Sequence, residues 1–395
     1  VTATGDGGEA PLIYLDHAAT TPVRAEVREV MITTLTDTFG NPSSMHGTGR
    51  AARSLVDAAR DQLAEVLHCR ARELVFTGGG SESDNLALRG VARRQRERGC
   101  HLIVSSIEHE AVLETARDLT RDGFELTVLP VDGRGLVSTD QLAGALRKDT
   151  ILVSVMMANN EVGTIEPIEE LVQVTREHSR AVFHTDATQA LGKLSLDVNR
   201  LGVDLLTISG HKVYGPKGVG ALYVRQGTAL DPLITGGGQE RTRRSGTENV
   251  PGIVGLGVAA QLAEAEREVE WRRQSALSER LTELITKGVP GAFQTGATPP
   301  LRLPNFSTVC FPGVEGELLL LRLDRLAVCA SAGSACTSGS LAPSHVLLAM
   351  GLDPSVAGAH LRLTVGRSTT AADVERAARA VVESVAALRA APLPV

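Results

Sequence analysis

Between residues 73 and 224, seven short apolar runs recur, most of them separated by a longer amphipathic stretch, and this alternation constrains the fold more than any other feature. The runs lie at 73–76, 101–105, 125–129, 151–156, 181–184, 205–208 and 220–224. Helical patterns occupy 49–67, 83–98, 111–121, 139–146 and 168–177. Strand–helix alternation predicts an α/β fold around a mostly parallel seven-stranded sheet, because a parallel return needs a crossover long enough for a helix. The run at 220–224 follows its predecessor after a short loop and is expected to pair with it antiparallel.

Near Gly255 the texture changes. A long charged helix is read over 258–287, followed by a Pro/Gly-rich loop around 299–304. Strands are expected at 306–311, 326–329 and 361–365, with helices at 316–322 and 371–390. This is a second, smaller α+β domain. The expected division is a large domain at 15–258 and a small domain made of 1–14 with 259–395, within the two or three domains that 395 residues allow. There is no internal repeat and no low-complexity tract.

Composition narrows the function classes. A net charge of −6 gives a polyanion no global attraction, and 3% aromatic residues make no stacking platform, so direct nucleic-acid binding is not expected. The five cysteines, Cys69, Cys100, Cys310, Cys329 and Cys336, lack paired or zinc-type spacing, which argues against a disulfide framework and a structural metal site. A reducing compartment fits them. Residues 1–10 carry no apolar signal-peptide core and read as a floppy tail, and no apolar run approaches the roughly 18 residues of a membrane span. The expectation is a soluble, cytoplasmic protein without membrane attachment.

Functional groups in parallel α/β sheets collect where strands end, because those loops face one crevice. The 205–208 strand ends in Ser209-Gly210-His211-Lys212, and Lys212 is one of only five lysines in the chain. A desolvated lysine favours the neutral amine that a Schiff base with an aldehyde cofactor requires. The plain alternative is a surface-loop lysine. The 181–184 strand leads to Asp186, which would pair with a protonated ring nitrogen or else cap the next helix. The 73–76 strand ends in Thr77-Gly78-Gly79-Gly80-Ser81, a phosphate seat at a helix start that has neither a dinucleotide fingerprint nor a Walker loop. His109 follows the 101–105 strand and is a candidate for ring stacking or proton transfer; Asn160 follows the 151–156 strand and could hold a ring hydroxyl. In the second domain, Cys336 lies among small residues, Ser331 to Ser340, which reads as a mobile loop carrying a nucleophile, while Cys329 reads as core. Arg362, inside an alternating strand, invites a carboxylate or forms an internal ion pair.

Taken together, the segment Ser209 to Lys212, the motif Arg244-Ser245-Gly246-Thr247 and the motif Gly333-Ser334-Ala335-Cys336-Thr337-Ser338 carry a resemblance. From Tyr14 to Arg367 the chain resembles the cysteine desulfurases of the nitrogen-fixation and iron–sulfur-cluster group, in the class-V aminotransferase superfamily. The resemblance implies a homodimeric pyridoxal-phosphate enzyme of fold type I. It makes Lys212 the Schiff-base lysine, Asp186 the ring-nitrogen partner, His109 the residue on the ring face, and Gln189 and Asn160 the ring-oxygen contacts. Gly80, Ser81, Ser209 and His211 become phosphate contacts, with Thr247 supplied by the other subunit. Arg362 and Asn41 would hold the substrate carboxylate, and Cys336 would take the sulfur as a persulfide. Ser81 stands where the family more often has threonine, with the hydroxyl kept, and Cys329 stands where small hydroxyl residues are common.

The implied reaction converts L-cysteine to L-alanine. Sulfur passes from Cys336 to an acceptor protein for iron–sulfur assembly, tRNA thiolation or DNA phosphorothioation. In some members the cysteine loop also ligates a transferred iron–sulfur cluster, which makes Cys336 a candidate ligand. Two other readings stay open: a selenocysteine lyase or other transaminase-like enzyme, and a sulfur carrier that uses Cys336 alone.

Overall fold

The computed structural model describes residues 11–333 and 343–390. The tail read over 1–10 and the thiol of Cys336 lie outside the described residues. In chain order the first part runs β1 (Ile13–Tyr14), α1 (Ala25–Asp37), α2 (Gly47–Val66), β2 (Leu74–Thr77), α3 (Gly80–Gln95), β3 (His101–Ser105), α4 (Glu110–Arg121) and β4 (Glu125–Leu129). Next come α5 (Thr139–Ala145), β5 (Thr150–Ser154), α6 (Ile168–His178), β6 (Val182–Asp186), α7 (Val198–Leu201), β7 (Leu205–Ser209) and β8 (Gly220–Val224). The rest is α8 (Val250–Gly288), β9 (Phe293–Gln294), β10 (Phe306–Cys310), α9 (Gly316–Arg325), β11 (Val328–Cys329), α10 (His345–Ala349), α11 (Pro354–Ala357), β12 (His360–Thr364) and α12 (Ala371–Ala390).

The seven expected strands form one sheet in the order β2-β8-β7-β6-β5-β3-β4. Its interior strands are buried along their whole length, as strands covered on both faces must be, whereas the edge strand β4 shows Glu125 and Val128 to solvent. β8 runs antiparallel to both β7 and β2, as its short approach loop requires, so β2 ends on the same side of the sheet as β7. Gly220 is paired with Ser209 on one side and Thr77 on the other. The glycine turn after β2 thereby lies next to the end of β7. A Cβ on Gly220 would sit 2.7 Å from the Gly79 carbonyl carbon, so only glycine allows this approach.

α8 begins eight residues before the expected start, at Val250, with the Asn249 side chain capping Gly252 N–H and Pro251 in its first turn. Gly252, Gly255 and Gly257 obscure that beginning in the sequence. They are needed because α1 and α2 press against it: a Cβ on Gly255 would lie 2.9 Å from Met31 Sδ, and one on Gly257 would lie 3.0 Å from Ala59. α1 itself has no clear apolar stripe. It buries Val27 and Thr34 while exposing Ile32 and Leu35.

At about 1.5 Å per residue, α8 is about 58 Å long and joins two cores. Its first turns enter the core under the large sheet with Phe183, Leu206 and Ile208, and its last turns pack with Leu15, Phe311, Leu361 and Val381. That second core underlies the antiparallel sheet β9-β10-β12, and beside it β1 pairs parallel with β11. Among the described residues no helix is long and apolar enough to cross a membrane.

Candidate active site

The ends of β5, β6 and β7 lie side by side and, together with the start of α3, enclose a cavity of about 210 Å³. Lys212 closes the short helical turn that follows β7. Its Nζ donates to the carbonyls of Ala18 (2.6 Å) and Ala19 (2.8 Å), which belong to the loop after β1. Gln189 Nε2 donates to the same Ala18 carbonyl at 2.9 Å, while its Oε1 is buried without a partner beside the cavity. Lys193 sits nearby with Nζ on the Gln189 carbonyl, and burial and the charge of Lys212 push it down to about 8.

Asp186, the last residue of β6, lines the cavity and accepts Thr188 N–H at 2.8 Å. Behind it lies a second carboxyl, Asp84 on α3, which the sequence reading passed over. Burial, and then the charge of Asp186, push Asp84 well above the usual carboxylate range. His184 gives it no counter-charge. Burial lowers that imidazole to about 3, and its nitrogens face the hydroxyls of Ser154 and Thr207. Of the two buried acids, Asp84 is the one whose charged form burial disfavours.

The phosphate seat read from the glycine turn is the N-terminus of α3. Its N-cap Gly79 has φ +151° and no side chain to cap the first turn, so the helix presents bare N–H donors. Gly80, Ser81, Ser209, His211 and Thr188 surround that end, and Thr188 Oγ1 is buried without a partner. A Cβ on Gly80 would lie 3.1 Å from Thr188 Oγ1, so the seat is shaped by a missing side chain. The His211 ring is lowered to about 4 by burial and by Lys212 and Lys217, and its Nδ1 meets Thr20 Oγ1 at 3.1 Å.

His109 caps α4, its Nδ1 accepting Ala111 N–H at 3.1 Å, which leaves the neutral ring protonated on Nε2. The ring lines the cavity, as does Asn160. Arg362, on β12, reaches the same cavity almost fully buried. Its Nη1 donates to the carbonyls of Asn160 (2.7 Å) and Gly333 (2.8 Å) and its Nη2 to Asp16 Oδ1 (2.9 Å), while Nε is buried without a partner. The internal ion pair raised as the plain alternative is therefore present, and two donors remain, the Nε N–H and the second Nη2 N–H.

Ten of the sequence-predicted residues thus share one cavity. Asn41 and Thr247 do not line it within this chain. Asn41 is exposed, with Oδ1 on Ser43 N–H, and Thr247 is exposed on a segment whose Arg244 pairs with Glu82 of α3. Four polar lining residues besides Asp84 were not assigned from the sequence: Glu110, Thr188, Glu161 and His345.

A family model described as Aminotransferase class-V matches residues 13–377. A curated relative, Cysteine desulfurase IscS of Methanosarcina thermophila, is 50% identical over 381 residues, 96% of this chain and 94% of that one. A solved structure described as a NIFS-LIKE PROTEIN matches with a TM-score of 0.90 and 37% identity over 96% of this chain and 100% of its own. Another, SspA in complex with cysteine, matches with a TM-score of 0.79 and 39% identity over 89% of this chain and 98% of its own.

Proposed function

We propose, from the premise that this chain belongs to the class-V aminotransferase family and is a pyridoxal-phosphate-dependent cysteine desulfurase, that Lys212 is its Schiff-base lysine and Cys336 its sulfur-accepting thiol. One observation carries the residue assignment. The cavity presents a lysine, a strand-end carboxylate and an uncapped helix N-terminus together, and its buried polar atoms on Thr188, Gln189 and Arg362 lack partners. These needs match an aldehyde, a protonated ring nitrogen and a phosphate on one small molecule. Gly80, Ser81, Ser209 and His211 would hold the phosphate, Asp186 the ring nitrogen, Gln189 and Asn160 the ring oxygen, and His109 the ring face. Bound there, pyridoxal phosphate supplies the aldehyde and an electron sink for charge released at the substrate Cα.

The chain's own groups do the rest. Lys212 Nζ takes and returns the proton at the substrate Cα. Asp186 keeps a proton on the ring nitrogen. Arg362, through Nε, and Asn41 hold the substrate carboxylate. The Cys336 thiolate attacks the substrate Sγ; the new S–S bond forms as the Cβ–Sγ bond breaks, and the released electron pair ends as a C–H bond at Cβ. Nε2 of His109 is placed to hand over the proton. Cysteine and one thiol thus become alanine and one persulfide, with the acceptor sulfur oxidised and Cβ reduced.

The same reading makes the enzyme a cytoplasmic homodimer. Exposed Phe39 and Met45 near Asn41, and Thr247 outside its own cavity, support a second copy completing each site. The persulfide passes to an acceptor protein, and the net charge of −6 supports a protein carrier over direct delivery to nucleic acid. The division at residue 258 is supported by two cores that separate close to it along the chain. The test is Cys336→Ser. The variant is expected to keep the yellow colour and the spectral change on adding cysteine, while alanine release falls to background. Alanine release at the wild-type rate would remove Cys336 from the reaction.

A further inference from the structure

The motif Asn159-Asn160-Glu161-Val162-Gly163 does more than offer an amide to the cavity. Asn159 is fully buried, and its Oδ1 accepts the N–H groups of Glu161 (2.8 Å) and Val162 (3.0 Å) while its Nδ2 donates to the Ile107 carbonyl. This local turn fixes the direction of the next side chain, Glu161. Glu161 is 1% exposed and lies against Gly333 and Ser344, one on each side of 334–342. On one side, Ser344 Oγ donates to Glu161 Oε2, and the same hydroxyl caps α10 by accepting Leu347 N–H. On the other, the Gly333 backbone comes so close that a Cβ there would lie 2.8 Å from Glu161 Oε2. Gly333 holds φ +97°, and its carbonyl takes the Nη1 donor that Arg362 shares with the Asn160 carbonyl.

We propose that Glu161 is a positioning residue for sulfur transfer: by its hydrogen bond to Ser344 and its close approach to the Gly333 backbone it fixes both beside the substrate cavity and so sets where the intervening thiol is delivered. The inference rests on the reading of Cys336 as the sulfur acceptor. Cys336 lies three residues beyond Gly333, at most about 11 Å of chain whatever its path, so an anchor at Gly333 bounds the thiol's range. The anchoring is two-sided. After Ser344, the side chains of Val346 and Leu347 pack with Ile107, Met156 and Val162 of the large-sheet layer. Glu161 meets the described chain from both directions, and it belongs to the same turn that Arg362 grips.

Two reactions separate positioning from a supporting role. Exchange of the α-proton of L-alanine in deuterated water needs Lys212 and the cofactor but no thiol. Single-turnover persulfide formation on Cys336, read by mass spectrometry, needs both. Glu161→Ala is expected to slow persulfide formation at least about tenfold while alanine exchange stays within about twofold of wild type. Glu161→Gln keeps an acceptor for Ser344 and is expected to restore most of the rate. Ser344→Ala should fall in the same direction as Glu161→Ala, and the double variant should be no slower than Glu161→Ala alone, because both remove one contact. Equal losses in exchange and persulfide formation, or no loss in either, would overturn the proposal. Should Glu161→Ala fail to fold, Ser344→Ala decides by the same comparison. A wild-type chain that exchanges alanine but never forms a persulfide at Cys336 would instead overturn the reading of that thiol.

Discussion

Asp84→Asn separates the two buried acids of the site by pH. The Asp84 carboxyl has an unpartnered Oδ1, and the nearest imidazole nitrogen, His184 Nε2, lies 3.7 Å away. Burial and the Asp186 charge raise it, against a smaller pull downward from the Thr207 hydroxyl. In the unfolded chain the same group titrates at about 3.9. Above that pH, and up to the raised folded value, the folded state holds one proton more than the unfolded state. Stability from this group is therefore complete below the unfolded value and lost as pH rises through the folded one, at about 1.4 kcal/mol per pH unit between them. Asparagine does not titrate. The stability of Asp84→Asn minus that of wild type should therefore climb as pH rises above the unfolded value, by at most about 1.4 kcal/mol per pH unit. Glu161 and Glu166 are also raised by burial, and they cancel in the difference because both proteins carry them. Guanidinium unfolding of the holoenzymes at pH 5, 6 and 7, at one protein concentration, measures it. Near pH 7.5 the variant should keep turnover within about threefold, whereas Asp186→Asn, which removes the acid proposed to face the ring nitrogen, should lose about 100-fold. A flat stability difference, or equal losses of activity from the two substitutions, would refute the assignment of charge.

Three further outcomes follow from the same geometry. Arg362→Lys keeps the charge but cannot span Asn160, Gly333 and Asp16 at once, so cysteine titrations should show KM raised at least about tenfold and thermal melts a loss of about 1–3 kcal/mol. Gly220→Ala forces apart the end of β7 and the start of α3. Equilibrium titration with pyridoxal phosphate should show weaker binding, with about 1–3 kcal/mol lost in stability. Coexpressed Lys212→Ala and Thr247→Ala chains should recover about a quarter of wild-type activity if Thr247 serves the partner's site, since mixed dimers then hold one intact site each; no recovery would keep Thr247 within its own subunit.

What the sequence disclosed and what it hid divide along contact range. β3, β4 and β8 match their expected spans because apolar runs bounded by polar turns are local signals, and Lys212, Asp186 and the glycine turn stood out because strand ends in such a sheet have one shared direction. α1 stayed hidden because it covers α8 with few buried side chains and shows apolar ones outward. Asp84 lay in plain view beside the glycine turn, but only the fold brings it against Asp186, on another strand about a hundred residues later in the chain. Glu161 directly follows Asn160 and carried no signal of its own. Its partners, Gly333 and Ser344, are brought to it by the closing of one core on the other.

The bonds of Arg362 join these levels. As a strand residue with polar character it was read as a carboxylate binder, and the structure shows most of its fork already engaged. Two Nη1 bonds go to the carbonyls of Asn160 and Gly333, and one Nη2 bond goes to Asp16, 346 residues away. In the proposed reading a substrate carboxylate would meet the orphaned Nε and the remaining Nη2 donor, on a guanidinium held by the carbonyls of Asn160 and Gly333. On that reading substrate binding and thiol placement would share one side chain. A substitution that loosens Gly333 should then raise KM for cysteine as well as slow sulfur transfer, whereas loss of the Ser344 contact should slow transfer alone. Gly333→Ala, strained at φ +97° and 2.8 Å from the Glu161 carboxylate, set against Ser344→Ala, makes that distinction in one pair of cysteine titrations and single turnovers; KM moving equally in both would show that the two anchors are not separate.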